Sequence, residues 1–172
     1  MTSQDQVGTA TPPAGDHLSR FFADQLDYVG QLADEASAQP DPWAGLTGFL
    51  HSILALQAEY RGLLDYMFGP RAQERAGAST ARLTPVLAEL LARAKASGQV
   101  RRDVTIEDVA LVPVMVGAVL ERSRGIAPDD AWRRVLAVVL DGFRPSAEPL
   151  PGRPLRRDEL HALLGGGELP RD

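Results

Sequence analysis

The stretch that decides the fold is residues 90–145, LLARAKASGQVRRDVTIEDVALVPVMVGAVLERSRGIAPDDAWRRVLAVVLDGFRP. It contains the signatures of three consecutive helices. The first ends at Gly98, and the second begins at Thr105, where Asp108 completes a capping box. The third runs from about Pro128 to Pro145. Its apolar residues recur at i, i+3, i+4, i+7, i+8 and i+11, which indicates one wide apolar face: Trp132, Val135, Leu136, Val139, Leu140 and Phe143.

Two further helices are predicted upstream of this stretch. An apolar helical periodicity runs from Leu18 to Ala38. A second helix is predicted over residues 41–60. Asp41 is its N-cap, and Pro42 occupies the first helical position, where the missing N–H of proline costs nothing.

The prolines and glycines of the central region leave one helix start open. Residues 71–78 are polar and contain a glycine, which favours a loop. The helix that follows begins either at Ser79, with a kink at Pro85, or at Thr84, with Pro85 at its first position. Pro113 lies well inside the helix that begins at Thr105 and predicts a kink there.

The fold class predicted from these patterns is all-α. No segment alternates polar and apolar residues for long enough to indicate a strand, and a short helical turn is predicted at residues 63–68. We expect a bundle of about five to six helices over residues 17–145. Residues 1–16 lack periodicity and are predicted to be a disordered tail. Residues 146–172 form a Pro/Gly-rich tail with room for a short helix at 156–164.

Composition excludes several classes of protein. The chain has 172 residues, 44% of them hydrophobic, which suffices for one domain with a substantial core. It contains no cysteine, so it forms no disulfide and no thiolate metal site. No apolar run is long enough to span a bilayer, and the first sixteen residues do not resemble a secretory signal. We therefore expect a cytoplasmic protein. A net charge of −5 argues against general affinity for nucleic acid.

Motifs of catalysis and cofactor binding are missing from the sequence. It has no nucleophile elbow, no zinc-protease motif, no phosphate-binding loop and no dinucleotide fingerprint. The three histidines, His17, His51 and His161, lack the spacing of metal ligands. His51 is interpreted as a partly exposed polar residue rather than a ligand contact. We expect neither enzymatic activity nor a cofactor.

Helix-spaced aromatic and methionine side chains suggest a pocket for a largely apolar molecule. Pro113 and the small Gly117 would leave room between helices, and Tyr60 and Tyr66 would supply polar groups. Residues of this kind at this spacing also form ordinary cores, so both interpretations remain open. The predicted lining consists of Phe49, Ile53, Tyr60, Met67, Leu87 and Met115, on helices over residues 41–60, 79–97 and 105–123.

The last two helices carry more apolar surface than a small bundle easily covers. The apolar face of the last helix is either core within one chain or half of a dimer interface, and periodicity does not decide between them. On the preceding helix, valines occupy a further apolar face. The predicted interface consists of Val112, Val116, Val119, Trp132, Val135, Leu136, Val139, Leu140 and Phe143.

Four motifs in order resemble the C-terminal half of tetracycline-repressor (TetR) family regulators. Residues 41–50 (DPWAGLTGFL) resemble the family's Asp-Pro-Trp helix start, and residues 61–67 (RGLLDYM) resemble the short helix after it. Residues 90–112 (LLARAKASGQVRRDVTIEDVALV) are similar to a helix end of the family and the capped penultimate helix after it. Residues 131–145 (AWRRVLAVVLDGFRP) are similar to the family's last helix. The resemblance implies a homodimer that senses a small, largely apolar effector and dimerises through its last two helices.

One part of the family's pattern has no counterpart here. Family members begin with a helix-turn-helix domain that binds DNA. In this chain, only sixteen residues without Arg or Lys precede the first predicted helix. We therefore expect no direct DNA binding by the chain as given. Three explanations are open: a start recorded downstream of the true one, a truncated regulator, or a free-standing domain that pairs with a complete regulator.

A different class of function competes with this interpretation. A helical protein-interaction module without a small-molecule pocket, such as a heterodimer partner that does not bind DNA, would show the same helix signatures. A cavity between the helices headed by Asp41 and Thr105 would favour the sensor, whereas a filled core would favour the interaction module.

Overall fold

Within the described residues, the chain folds into six helices and no strand, so the all-α prediction is confirmed. The structure is a computed structural model that describes residues 14–60, 72–123 and 125–165, without the side chains of 14–23, 26, 72–82 and 165. The helices are α1 (Ala14–Ser37), α2 (Pro42–Glu59), α3 (Ala72–Ala96), α4 (Ile106–Ser123), α5 (Ala131–Asp141) and α6 (Arg157–Gly165).

Helix α2 is the centre of the bundle. It packs against α1, α3, α4 and α5, while α1 also packs along α3, and α4 pairs with α5. Its inward face is almost entirely apolar, which is why α2 can be surrounded on several sides. The largest fully buried side chains come from five helices and a loop: Val29, Leu46, Leu50, Leu54, Leu90, Val104, Val109, Val112, Val116 and Leu136.

The beginnings of α2 and α4 are fixed by local hydrogen bonds, as predicted. Asp41 Oδ1 accepts from the backbone N–H groups of Trp43 (3.0 Å) and Ala44 (3.4 Å), with Pro42 at the first helical position. At α4, the backbone N–H of Thr105 donates to Asp108 Oδ2 (2.7 Å), and the N–H of Asp108 donates to Thr105 Oγ1 (3.3 Å). This reciprocal pair is the predicted capping box.

The start of α3 differs from the prediction. Residues 71–78 were expected to be a loop, but α3 begins at Ala72 and holds Pro85 well inside it, so neither proposed start is correct. Alanine, glutamine, glutamate and arginine dominate residues 72–76, and their helix propensity outweighs the single glycine that follows. The turn predicted at 63–68 lies outside the described residues.

The end of α3 matches the prediction of a stop at Gly98. Gly98 has φ +74°, a left-handed conformation that glycine adopts without a Cβ penalty. Its N–H donates to Lys95 O (3.0 Å), and the N–H of Gln99 donates to Ala94 O (3.0 Å), which satisfies carbonyls of the last turn.

Candidate functional site

Four of the six predicted pocket residues pack on one core. Phe49 and Ile53 of α2 are buried, and Leu87 of α3 and Tyr60 at the end of α2 are half-buried against the same cluster. Met115 is different, because 46% of it is exposed on α4. Met67 lies outside the described residues. The structure therefore brings Phe49, Ile53, Tyr60 and Leu87 together and leaves Met115 on the surface, while the pocket itself stays a prediction.

The most unusual polar group of the bundle interior is the side chain of Gln57. It is only 4% exposed, and neither Nε2 nor Oε1 has a hydrogen-bond partner in the part of the chain that the structure describes. Gln57 continues the inward face of α2, three and four residues after Leu54 and Ile53. Only tyrosines were predicted from the sequence to be inward polar groups, although the same helical spacing places Gln57 among the core positions.

The polar group of Tyr60 is engaged at the end of α2. The Tyr60 hydroxyl donates to the Glu59 carboxylate. This bond raises the pKa of Tyr60 above its ordinary value, and the charge of Glu59 acts in the same direction. The backbone N–H of Tyr60 donates to Leu56 O (2.7 Å). Since Glu59 is exposed, the Tyr60 hydroxyl is drawn towards the surface. Tyr66 lies outside the described residues.

His51 joins α2 to α5. It is half-buried, and its ring centroid lies 6.0 Å from that of Trp132. The Arg133 guanidinium stacks on the same indole, 4.7 Å from the ring centroid. Burial lowers the pKa of His51, and the positive charge of Arg133 lowers it further, so both effects favour the neutral imidazole. In this structure the residue packs two helices together.

The predicted dimer residues divide into two groups by burial. Six of them lie inside the core of a single chain: Val112, Val116, Trp132, Leu136, Leu140 and Phe143. The other three are half-buried at its edge: Val119, Val135 and Val139. The first group therefore packs within one chain, and only the second reaches a surface that a partner can contact.

Two exposed apolar side chains lie on the same helices as this second group. Met115 of α4 is 46% exposed and Val138 of α5 is 67% exposed. Helical spacing places them beside other apolar positions of the same two helices. We call these partly or fully exposed apolar positions of the paired helices the outer face: Leu111, Met115, Ala118 and Val119 on α4, and Val135, Val138 and Val139 on α5.

The segments whose motifs carry the family resemblance meet at one end of the bundle. Gln99 Nε2 donates to Asp41 Oδ1 (2.9 Å), and this bond is the main reason why the pKa of Asp41 lies below its ordinary value. The Arg144 guanidinium lies 4.5 Å from the centroid of the Trp43 ring. The backbone N–H of Arg101 donates to Phe143 O (3.0 Å). These contacts join the starts and ends of helices, so this end stabilises the fold.

Arg93 of α3 completes the same junction. Its two terminal nitrogens donate to the backbone carbonyls of Ser37 (2.8 Å) and Gln39 (3.0 Å) at the end of α1. Carbonyls at a helix C-terminus lack partners within the helix, and a cation also complements the negative end of the helix dipole. Arg93 therefore caps α1 from a neighbouring helix.

Two other kinds of site are absent from the described ranges. No group of three or more metal-binding side chains occurs among those residues. No helix there is both long and apolar enough to cross a membrane.

The sequence of the bundle matches that of a known family. Residues 41–145, more than half of the chain, match the family described as "Transcriptional regulator SbtR-like, C-terminal domain". No curated protein matches the chain. C-terminal domains of TetR-family regulators are regulatory rather than enzymatic, and such regulators typically dimerise and bind small effectors. The chain therefore belongs to the SbtR-like group of TetR-family transcriptional regulators, whose C-terminal domain its residues 41–145 match.

Proposed function

We propose that this domain senses a small, largely apolar effector and forms a homodimer through the outer face of α4 and α5. The observation that carries the proposal is the apolar outer face on the two helices that end the family match. Val138 and Met115 are 67% and 46% exposed there in a single chain. A large exposed apolar patch on a folded domain typically marks an interaction site.

The burial pattern selects which residues face the partner. Val112, Val116 and Leu136 have no exposed surface, so a second chain has no access to them. Truncating them would empty the core of each subunit rather than remove an interface contact. The dimer we propose therefore uses the flank of α4 and α5 next to this core, with Met115 and Val138 at its centre.

The effector site is proposed for the region enclosed by α2, α3 and α4. Support comes from Phe49, Ile53 and Leu87, which converge on one apolar core next to the central helix. Pockets in helical proteins form between packed helices and are mostly apolar. We infer a regulatory domain without enzymatic activity that works in the cytoplasm, where a transcriptional regulator meets its DNA.

The dimer is tested by light scattering at micromolar concentration. The expected mass is twice the chain mass of 18.5 kDa. Val138→Glu, which places a charge on the outer face, should give a monomer that keeps its helical circular dichroism. Ala92→Glu is the matched control, because Ala92 is exposed on α3 and should not affect the dimer. A monomeric wild-type chain would contradict the proposal.

Effector binding is tested separately by thermal melts with apolar probes such as indole, quinoline and 1-hexanol. A ligand that binds only the folded state raises the melting temperature, with about 2.7 kcal/mol of stabilisation at a hundredfold excess over its Kd. If no apolar probe changes the melt of the dimer, the sensor half of the proposal is wrong, and a protein-interaction module remains.

A further inference from the structure

The carboxamide of Gln57 is an isolated polar group within an apolar interior. Among the described residues, Gln57 is the only buried polar or charged one. Its neighbours one and two turns back on the same helix face are Leu50, Ile53 and Leu54, which are all buried. Because α2 packs against four other helices, this face looks into the packed interior of the bundle.

Both ends of this carboxamide lack a partner in the described part of the chain. Nε2 carries two N–H donors, and Oε1 carries two acceptor lone pairs. A buried polar group normally has a hydrogen-bond partner, because water was removed from it on folding. The Tyr60 hydroxyl, one turn further along α2, interacts with Glu59 instead. Gln57 therefore presents one donor and one acceptor side by side to whatever enters the interior.

We propose that Gln57 is the polar recognition residue of the effector site, and that the effector is a neutral molecule with a hydrogen-bond acceptor beside a donor, such as a primary amide or a lactam. This inference rests on the proposed sensor function. The carbonyl oxygen of the effector accepts from Nε2, and its N–H donates to Oε1. The two amide planes then form a cyclic pair of hydrogen bonds, and both orphan atoms of Gln57 are satisfied at once.

The described surroundings of Gln57 favour a neutral effector over a charged one. Among the described buried residues there is no cation or anion to neutralise a ligand charge. An isolated charge transferred into such an interior is strongly unfavourable, whereas a neutral amide with both hydrogen bonds made is tolerated. The remaining surface of the effector contacts aliphatic and aromatic side chains and is apolar.

The test compares matched probes by thermal shift: 2-quinolone against N-methyl-2-quinolone, and benzamide against N,N-dimethylbenzamide. In each pair only the first member has the N–H donor. We expect the first member to raise the melting temperature of the wild-type dimer by at least about 2 °C more than the second. In Gln57→Met, a variant of similar volume, this difference disappears. Leu54→Met, on the same buried face, is the control and keeps it.

A second measurement on the wild-type chain does not depend on how the variant folds. In ¹H–¹⁵N spectra, the side-chain NH₂ resonances of Gln57, assigned by triple-resonance experiments, should shift when 2-quinolone is added. Their chemical shifts should not change when N-methyl-2-quinolone is added. If neither probe changes the chemical shifts of these resonances, the inference is wrong.

The outcomes separate the inference from the proposed function. If indole, quinoline or 1-hexanol stabilise the dimer but the matched pairs behave alike, the domain is a sensor and Gln57 is not its recognition residue. If the preference for the N–H member survives in Gln57→Met, the inference is also wrong. If no probe of either kind binds, both the inference and the sensor function fail.

Discussion

At the scale of single residues, the pair Arg101–Asp103 holds the chain that follows the last helix of the family match. Arg101 binds Asp103 through two nitrogens, at 2.6 and 3.0 Å. The same guanidinium donates to Glu148 O (2.5 Å), and Asp103 Oδ2 accepts from the backbone N–H of Leu150 (2.7 Å). A bidentate pair fixes both side chains in one geometry. The segment around Glu148 and Leu150 is therefore held against the loop between α3 and α4.

Removing the carboxylate of Asp103 should release this segment without unfolding the bundle. In Asp103→Ala, the Leu150 N–H loses its acceptor and Arg101 loses its partner. We expect faster tryptic cleavage after Arg156 and Arg157, which are exposed, together with unchanged helical circular dichroism. Cleavage sites are identified by mass spectrometry. Asp27→Ala, at an exposed position of α1, is the control. Equal cleavage rates in the two variants would contradict this role of Asp103.

Ion pairs at the beginning of α6 should make the tail resistant to acid. Arg153 lowers the pKa of Glu159 to about 2, with help from the backbone N–H of Arg156, which donates to Glu159 Oε2 at 2.8 Å. Arg101 likewise holds the pKa of Asp103 well below its usual range. A carboxyl whose pKa is lowered in the folded state stabilises that state above its ordinary pKa. This contribution is lost only as the pH falls through the lowered value.

The corresponding measurement follows the backbone amide of Arg156 in ¹H–¹⁵N spectra from pH 6 to 1.5. Its chemical shift should stay constant through pH 4.5, the ordinary pKa of a glutamate, and change with a midpoint near 2. In Arg153→Gln the midpoint should move up towards 4.5, because the first cause of the shift is gone. A wild-type midpoint already near 4.5 would show that the ion pair does not form in solution.

At the scale of helices, predictability depends on how local the determinants are. The starts of α2 and α4 follow from caps within four residues, at Asp41 and at Thr105 with Asp108, and both were predictable. The start of α3 was not, because a glycine and a proline suggested breaks that the surrounding helix formers overcame. The exposure of Met115 was also missed. Apolar residues surround much of α4, so periodicity did not reveal which side faces the core.

The crossing of α1 and α2 depends on the absence of a side chain at Gly45. A Cβ at this position would overlap the carbonyl oxygen of Ala36 and lie 3.3 Å from Gln39 Cβ. Since backbone cannot move aside cheaply, Gly45→Ala should destabilise the domain by about 1–3 kcal/mol. Gly48→Ala, on the same helix with nothing within 4 Å of the new Cβ, should stabilise it by about 0.5–1 kcal/mol. Urea midpoints of the two variants should therefore shift in opposite directions.

At the scale of the whole molecule, the sequence was sufficient for the fold class and the order of helices, but not for the division between core and surface. Gln57 illustrates the reason. That it is buried follows from its spacing, whereas its lack of partners depends on side chains brought from other helices. The predicted dimer residues show the same limit. Trp132 completes a core shared by α2 and α5, and only the tertiary arrangement decides this.

The charge of the molecule predicts its behaviour towards DNA. The chain has 18 Lys and Arg against 23 Asp and Glu, so its net charge of −5 opposes binding to phosphates. In gel shifts at physiological salt, we expect nothing tighter than a Kd on the order of 10⁻⁴ M for duplex DNA. Sequence-selective binding in the nanomolar range by this chain would contradict the prediction.

Dimerisation should also couple to the stability of the whole molecule. When the folded state is a dimer, mass action makes the melting temperature rise with protein concentration, whereas the melt of a monomer does not depend on concentration. The wild-type chain should therefore melt at higher temperature at 100 µM than at 1 µM. The melting temperature of Val138→Glu should not depend on protein concentration, because the charge prevents the dimer contact. The variant should still fold, since Val138 is 67% exposed in the single chain. In Ala92→Glu, the melting temperature should still rise with protein concentration. In contrast, Trp132→Ala should lower the melting temperature at every concentration, with a cost of about 3–5 kcal/mol, because Trp132 is 3% exposed and fills the core. If Val138→Glu and the wild-type chain respond to concentration alike, the outer face is not the dimer interface.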